Sequence, residues 1–403
     1  MILPLGDAPN PRGVPVVTYA LLAANVLVYL FITLPLSVTP VDPADPALNA
    51  YLRVIAHSVP TRVPLDEIVA RTSAYDLFVF THGFRPAAPH LAALFVSLFL
   101  HSGFLHLFGN MLFLWIYGDN VEYRLGAIPY LVAYLATGVA ATLFHTLFDL
   151  DSQLPLLGAS GAISGVLGFY FRWFPRNQVR LLVLFFPFLM NVFLVPARLV
   201  LGMFLIVDNV LPFILTRGGD GGGVAYGAHI GGFMAGFIAS WAMDRRALAR
   251  SPRAYRATVS AKTVDATTAE AIVRALDEGR MANAAEMYFT LDVSATRGLL
   301  TARQSLALAD WLQEQGHADA ALTVYRRQLR DHPNGPGAAE AHIGAGLIQL
   351  ESLGLSTPAY QHFLDALDLH PPRDVADRAR AGLAAIAARQ KLQIGRPRSR
   401  GWN

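Results

Sequence analysis

The sequence predicts an all-α fold in two parts: a polytopic bundle of six transmembrane helices, and after it a soluble domain of helical repeats. Of the 403 residues, 54% are hydrophobic and only 15% are charged, which is too apolar for an ordinary soluble protein. The long apolar runs lie almost entirely before Asp244, and the rest of the chain carries the charge of a soluble protein. In that second part apolar residues recur with helical spacing.

The first part contains six segments that reach or nearly reach the roughly 20 apolar residues that a bilayer core requires. We predict spans over Val16–Leu36, Phe104–Tyr117, Ile128–Leu147, Gly158–Trp173, Pro196–Leu215 and Val224–Met243. Residues 1–15 form a cytoplasmic leader, since they lack the basic start and apolar core of a signal peptide. Residues 179–197 are ambiguous between a span and an interfacial connection, and Pro187, Asn191 and Pro196 favour the connection.

The arginines indicate the orientation of these spans. If the amino terminus is cytoplasmic, most arginines near helix ends are cytoplasmic too, as the positive-inside rule requires. These are Arg124, Arg172, Arg176, Arg180, Arg198 and the group Arg245, Arg246 and Arg250, while Arg217 and four arginines spread along residues 36–90 are external. Membrane topology therefore explains the basic residues, and we predict no nucleic-acid partner. Abundant Ala and Arg with scarce Lys favour the inner membrane of a bacterium, with both termini cytoplasmic.

Polar side chains inside a membrane are expensive and are functional candidates for that reason, and four of those in the predicted spans are expected to converge. His106 and Asn110 are spaced i, i+4 and share a helix face. Ser160 stands in "GASG" and His229 in "AYGAHIGGFMAG", both near the outer end of their spans. Small residues allow the two backbones to approach closely enough for a Ser160–His229 hydrogen bond. These small residues are Gly161, Gly165, Gly168, Gly232 and Gly236.

This set of side chains is suited to hydrolysis of an amide bond. A serine hydroxyl becomes nucleophilic when a base takes its proton, and histidine titrates in the appropriate range. The oxyanion that forms on the attacked carbonyl needs fixed donors, for which the side chains of His106 and Asn110 and the backbone N–H of Ser160 are available.

Three ordered motifs give this chain a resemblance to the rhomboid family of intramembrane serine proteases, over about residues 15–246. They are "HxxxxHxxxN" at His101, His106 and Asn110, "GxSG" at Gly158, Ser160 and Gly161, and "AHxxGxxxG" at Ala228, His229, Gly232 and Gly236. The resemblance implies that Ser160 is the nucleophile, His229 the base, and His106 and Asn110 the oxyanion donors. His101, Gly158 and Gly161 are then supporting residues. The implied substrates are transmembrane proteins in the lipid bilayer, cut near their extracytoplasmic end without a cofactor.

The orientation of His229 is open, because some rhomboids carry an aromatic residue four positions after the serine, where Ser164 stands here. The imidazole of His229 could instead be oriented by a hydrogen bond from Tyr226 or Ser164, or by simple packing. Asp208 and Asn209 are either a third catalytic member or a substrate gate, or they form an interhelical hydrogen bond, which we favour. Asp119 and Glu122 are expected to cap helix ends or tie them together.

Other functions fit the motifs less well. His101, His106 and His229 lack the i, i+4 spacing and intervening carboxylate of zincin helices, so we predict no metal. A non-catalytic rhomboid-like protein that binds membrane clients is the main alternative, although such a protein is expected to lack one residue of the Ser–His pair. A transporter is disfavoured by the short spans and the absence of paired inverted repeats.

The soluble part begins after a linker over residues 245–267 and extends over residues 268–392. Gly279, Gly316 and Gly354 are each followed nine residues later by an aromatic residue: Tyr288, Tyr325 and Phe363. The stretch "ALADWLQEQGHADAALTVYRRQLRDHP" resembles tetratricopeptide repeats, which implies a cytoplasmic groove for a protein or peptide partner. The alternative is a helical appendage that stabilises or dimerises the enzyme. The basic tail, residues 393–403, is expected to be disordered.

Overall fold

The computed structural model describes residues 2–11, 13–58, 64–185, 189–216, 224–249, 266–291 and 294–394. Most of the predicted linker, nearly all of the predicted tail, and Pro187, Arg217 and Arg250 lie outside these ranges. The chain divides into two compact units. The first comprises Met1–Asp7 and Gly13–Ser240, and the second comprises Ala8–Arg12 and Trp241–Asn403.

Each segment for which we predicted a span holds a helix, and all of them lie in the first unit except residues 241–243 of the last, which belong to the second. The helices up to residue 249 are α1 (Val16–Ser37), α2 (Leu48–Ser58), α3 (Leu65–Arg71), α4 (Ala74–His82), α5 (Ala93–Phe99), α6 (Phe104–Leu125), α7 (Ala127–Thr146), α8 (Ser160–Trp173), α9 (Ala197–Leu215) and α10 (Tyr226–Ala249).

Within the described residues, three helices are long and apolar enough to cross a membrane: α1, α7 and α9. A fourth span results if α5 and α6, which meet at a bend of 94°, count as one. Helix α8 has only 14 residues, too few to cross about 30 Å of hydrocarbon at 1.5 Å per residue. The structure therefore supports three or four spans, and the count of six stays a prediction.

A three-stranded sheet corrects the all-α prediction, although the chain is mostly helical. Strands β2 (Gln178–Phe185) and β3 (Leu189–Pro196) pair antiparallel, from Gln178 opposite Pro196 to Phe185 opposite Leu189. The segment we could not assign is thus a β-hairpin rather than a span. Strand β1 (Ile2–Ala8) lies beside β2, so the predicted leader is partly a strand. Short apolar runs of about eight residues that are rich in Val, Leu and Phe are typical of buried strands, which explains why this segment forms a hairpin.

Helix α8 lies at the centre of the first unit, and glycines determine how closely its neighbours approach. A Cβ atom on Gly168 would lie 2.1 Å from the carbonyl oxygen of Phe233, and one on Gly236 would lie 1.9 Å from that of Gly165. On the opposite side, a Cβ on Gly165 would lie 2.2 Å from Oγ1 of Thr137 in α7. Small residues are therefore required where α8 packs on α7 and α10.

A carboxylate near the end of α6 joins that helix to the start of α1. Glu122 accepts hydrogen bonds from the backbone N–H groups of Val17 (2.9 Å) and Thr18 (2.7 Å), which are unsatisfied donors at the start of α1. This is the helix-tying role predicted for Glu122. Asp119 instead accepts from the backbone of the adjacent Asn120, at 2.6 Å.

A buried carboxyl from β1 lies close to Asn120. Asp7 is only 3% exposed and accepts hydrogen bonds from the Tyr170 hydroxyl and from Nδ2 of Asn120, the latter at 3.0 Å. Asn177 donates in turn to the Tyr170 hydroxyl at 2.9 Å. This cluster links β1 to α6 and α8.

The second unit is helical. Its helices are α11 (Ala266–Asp277), α12 (Met281–Thr290), α13 (Ala302–Glu314), α14 (Ala318–Asp331), α15 (Ala338–Leu347, continued by the π-helical turn Ile348–Ser352), α16 (Ser356–Asp368) and α17 (Arg373–Ile394). Gly279, Gly316 and Gly354 adopt positive φ between the first and second helices of successive pairs. Tyr288, Tyr325 and Phe363 are buried in the second helices. The paired helices follow the spacing seen in the sequence, and their assignment as tetratricopeptide-like repeats stays a prediction.

Candidate active site

A glycine turn positions Ser160 at the start of α8. Gly158 adopts φ +115°, a conformation that side chains rarely allow, and its N–H donates to the carbonyl of Ser97 at 2.8 Å. A Cβ atom here would lie 2.8 Å from Cε1 of His106 and 3.8 Å from Oγ of Ser160. Gly158 is therefore required both by backbone conformation and by the space that His106 occupies.

The structure brings Ser160 and His229 together. The Oγ atom of Ser160 lies 2.8 Å from Nε2 of His229, although 69 residues separate them in the chain. Both residues lie in the first turn of their helices. The glycine contacts between α8 and α10 allow this approach, since a Cβ on Gly232 would lie 2.1 Å from the carbonyl oxygen of Gly161.

Asn209 fixes the tautomer of His229. Its Nδ2 donates to the carbonyl of Phe204 at 2.7 Å, so its Oδ1 is the atom that faces His229, 2.6 Å from Nδ1. An amide oxygen only accepts, so Nδ1 of His229 must carry the proton. Neutral His229 then has a bare Nε2, which accepts from the Ser160 hydroxyl.

A π-helical turn, Ile206–Val210, places Asn209 in this position within α9. The Asn209 side chain is 1% exposed, whereas the adjacent Asp208 is exposed. The feature of the sequence that pointed to Asn209 was an amide side chain inside an apolar span. The interhelical hydrogen bond that we favoured is present for this residue. Sequence reasoning missed that its partner is His229, because it offered Tyr226, Ser164 or packing as the groups that orient the imidazole. The imidazole also has an aromatic neighbour. This is Phe204 of α9, at 6.4 Å between ring centroids, rather than a residue at position 164.

His106 presents an N–H group to the space beside Ser160. Its Nδ1 accepts from the backbone N–H of Ser102 at 3.4 Å and lies 3.0 Å from the Ser102 hydroxyl. With Nδ1 acting as an acceptor, the proton of neutral His106 is on Nε2. That nitrogen is one of the atoms nearest to Gly158, beside Ser160.

Asn110 lies one helical turn after His106 and is 7% exposed. Its Nδ2 atom is buried and has no hydrogen-bond partner in the part of the chain that the structure describes. A buried donor without a partner is costly, so it calls for an explanation. The side chain lines the same cavity as Ser160 and His229.

His101 supports the loop before α6 and does not line the cavity. Its ring is fully buried, and Nδ1 donates to the carbonyl of Phe99 at 3.3 Å. The Tyr75 hydroxyl donates to the His101 carbonyl at 2.9 Å and accepts from its N–H at 3.1 Å. The rings of His101 and His106 are in edge contact, 5.2 Å between centroids.

A cavity of about 520 Å³ joins these side chains. Its polar lining residues are Ser102, His106, Asn110, Ser160, Ser164 and His229, and its apolar lining includes Leu105, Phe113, Leu157, Ile163, Leu167 and Phe204. A mostly apolar cavity with a few convergent polar groups is typical of a ligand site.

Comparison with known proteins identifies a domain that includes all the residues lining the cavity. Residues 88–246, which contain every side chain that lines the cavity, match the model of the Rhomboid domain. Residues 88–246 form a rhomboid family domain. The chain thus combines a rhomboid family domain with three or four candidate membrane spans among its described residues.

Several curated rhomboid proteins are similar over part of the chain. Rhomboid protein 1, mitochondrial, of Saccharomyces cerevisiae is 33% identical over 153 residues, or 37% of this chain and 41% of that protein. Rhomboid protease GluP of Bacillus subtilis is 33% identical over 155 residues, 37% of this chain and 25% of that protein. RHOMBOID-like protein 1 of Arabidopsis thaliana is 29% identical over 145 residues, 36% of this chain and 32% of that protein. The chain thus spans less than half the length of these relatives.

Proposed function

We propose that this protein is an intramembrane serine endopeptidase with Ser160 as nucleophile and His229 as general base. The observation that carries the proposal is the 2.8 Å contact between Oγ of Ser160 and Nε2 of His229 at the edge of an apolar cavity. The tautomer imposed by Asn209 leaves Nε2 free to accept the proton. The match of residues 88–246 to the rhomboid domain, and the similarity to a rhomboid protease, support the same function.

The first half of the reaction acylates Ser160. Its Oγ attacks the carbonyl carbon of the scissile peptide bond while its proton passes to Nε2 of His229. Asn209 accepts a hydrogen bond from Nδ1–H and stabilises the imidazolium that forms. His229 then donates the proton to the leaving amine, and the peptide bond breaks. In the second half, the oxygen of a water attacks the acyl carbonyl while a proton of that water passes to Nε2 of His229. His229 then returns the proton to Oγ of Ser160 as the ester bond breaks.

Three donors from residues that line the cavity are available to bind the oxyanion. They are the Nε2–H group of His106, the Nδ2 amide of Asn110 and the backbone N–H of Ser160, which has no helical partner at the start of α8. Preorganised donors of this kind lower the barrier because they need no rearrangement as charge develops. The unpartnered amide of Asn110 is explained if its partner is the oxyanion.

The expected substrates are single-span membrane proteins cut near their extracytoplasmic end. A helix in lipid hides its peptide bonds, and irregular backbone is tolerated there only where protein or water covers it. A segment with small residues or helix breakers can extend into the cavity, whose apolar wall replaces lipid. The helices of the second unit would bind a cytoplasmic protein or peptide partner.

A second candidate function is non-catalytic binding of membrane clients by the same cavity. An assay for cleavage of a single-span substrate by the purified full-length protein in liposomes distinguishes proteolysis from non-catalytic binding. The protease account predicts cleavage that Ser160→Ala and His229→Ala abolish. Ser240→Ala is the matched control, since this buried serine of α10 donates to the Phe237 carbonyl away from the cavity. If Ser160→Ala cleaves as well as the wild type, the proposal is wrong.

A further inference from the structure

The second unit contains a cluster of metal-ligating side chains between α15 and α16. His342 lies on α15, and His362 and Asp365 lie on α16 with i, i+3 spacing, which places them on one face of that helix. The Nδ1 atoms of the two histidines are 2.9 Å apart, and Oδ2 of Asp365 is 3.8 Å from Nδ1 of His342. One atom from each of the three residues lies within 4.8 Å of the other two.

The geometry points to a divalent transition-metal site, of the type that binds zinc, formed by His342, His362 and Asp365. The two Nδ1 atoms are at hydrogen-bond distance, so in neutral rings only one of them carries a proton and the other presents a lone pair. A cation between the two rings accepts both nitrogen lone pairs and one carboxylate oxygen. Two imidazoles and a carboxylate are a common ligand set for zinc.

Two of the three distances between the ligand atoms lie within about 0.5 Å of those that a zinc ion requires. Zinc binds histidine nitrogen at about 2.0–2.1 Å, which places two nitrogens about 3.4 Å apart in a tetrahedral site. The His342 and His362 nitrogens must therefore separate by about 0.5 Å, and the Asp365 oxygen must approach His342 by a similar amount. Three protein ligands leave the fourth position to water.

The site is open to solvent and joins two helices. The His342 side chain is 15% exposed and that of Asp365 is 38% exposed, so an ion can enter without unfolding the unit. Because the ligands come from α15 and α16, metal binding clamps this helix pair. This site is separate from the predicted hydrolytic chemistry, in which no metal takes part.

The test uses the full-length protein, purified without a polyhistidine tag and stripped with a chelator. Zn²⁺ is titrated in competition with a chromophoric chelator, and Co²⁺ is followed by its visible absorption. We expect one Zn²⁺ per chain and at least about tenfold weaker binding in His342→Ala and His362→Ala. Asp365→Asn keeps the side-chain volume and should weaken binding and change the Co²⁺ spectrum. His332→Ala, an exposed histidine of the same unit, is the matched control and should bind as the wild type does.

Three results would overturn the proposal. One is the absence of Zn²⁺ binding at micromolar concentrations by the wild type. Another is equal affinity in the wild type and in the His342, His362 and Asp365 variants. The third is binding that is lost in His106→Ala and kept in His342→Ala, which would place the ion among the histidines of the rhomboid domain. Unchanged far-ultraviolet circular dichroism identifies the variants that remain folded, and Asp365→Asn decides the question if both alanine variants misfold.

Discussion

Nδ1 of His229 lies 2.6 Å from Oδ1 of Asn209, and this contact determines which nitrogen of the histidine faces Ser160. The amide is itself fixed by its bond to the Phe204 carbonyl. A chain of hydrogen bonds thus runs from the backbone of α9 through Asn209 and His229 to the Ser160 hydroxyl. A group that orients the base is the third component of most Ser–His hydrolytic sites.

Asn209→Ala should reduce kcat by about 10²-fold with little change in KM, because a displaced or wrongly protonated imidazole slows the chemistry without altering the cavity. Asn209→Asp keeps an acceptor for Nδ1–H and should retain most of the activity. Cleavage kinetics of the protein reconstituted in liposomes give kcat and KM for both variants. Asp208→Ala, at the adjacent exposed position, is the control. Equal losses of kcat in the Asn209→Ala and Asp208→Ala variants would refute a specific positioning role.

Asn110→Ala should lower kcat by about 10²- to 10³-fold, the usual cost of one oxyanion donor. Since Nδ2 of Asn110 makes no hydrogen bond to described residues, its removal should not lower the thermal unfolding midpoint. Cleavage kinetics and thermal unfolding of the same preparation test this pair of expectations. Full activity in the variant would exclude Asn110 as a donor. A large loss of stability would assign it a structural role instead.

Gly236→Ala should separate α8 from α10, because the added Cβ would lie 1.9 Å from the backbone oxygen of Gly165. Overpacking of this kind costs about 1–3 kcal/mol, and it also moves His229 away from Ser160. Gly202→Ala is the control, since its Cβ would meet only the Phe171 ring, at 3.9 Å. The thermal unfolding midpoint and the cleavage rate should both fall in Gly236→Ala and stay at the wild-type level in Gly202→Ala. Wild-type behaviour of Gly236→Ala would contradict the close contact between α8 and α10.

The buried Asp7 carboxyl makes stability depend on pH. Burial raises its pKa from 3.8 to about 7, against the opposing hydrogen bonds of Tyr170 and Asn177 and the charge of Arg180. Between about pH 4 and pH 7 the folded protein keeps a proton that the unfolded chain has lost, so stability falls as pH rises through this window.

Asp7→Asn should flatten this part of the stability profile and raise the unfolding midpoint at neutral pH. The exposed carboxylate of Asp66 provides the control variant Asp66→Asn. Unfolding midpoints are compared from pH 4 to pH 8 in one detergent. A profile for Asp7→Asn parallel to that of the wild type would show that Asp7 does not titrate in this range.

The sequence was sufficient to predict the pairing of Ser160 with His229, because the glycines that allow the helices to approach have a regular spacing. Glu122 was likewise predicted to tie helix ends. The β2–β3 hairpin was not predicted, since a continuous apolar run of eight residues fits a strand, a buried helix or part of a span equally well. The contact of Asn209 with His229 depends on a π-helical turn, which no spacing in the sequence indicates. The geometry at His342 and His362 was also missed, because the ligands come from two helices that meet only in the fold.

Labelling with a fluorophosphonate tests the central claim most directly, since the probe forms a bond to an activated serine oxygen and releases fluoride. The account predicts one phosphonyl group on Ser160 of the full-length protein, located by mass spectrometry. Ser160→Ala removes the target, and His229→Ala removes the base, so neither variant should be labelled at this site. Labelling of Ser160 that is unchanged in His229→Ala, or no labelling of Ser160 in a protein that cleaves its substrate, would contradict the account.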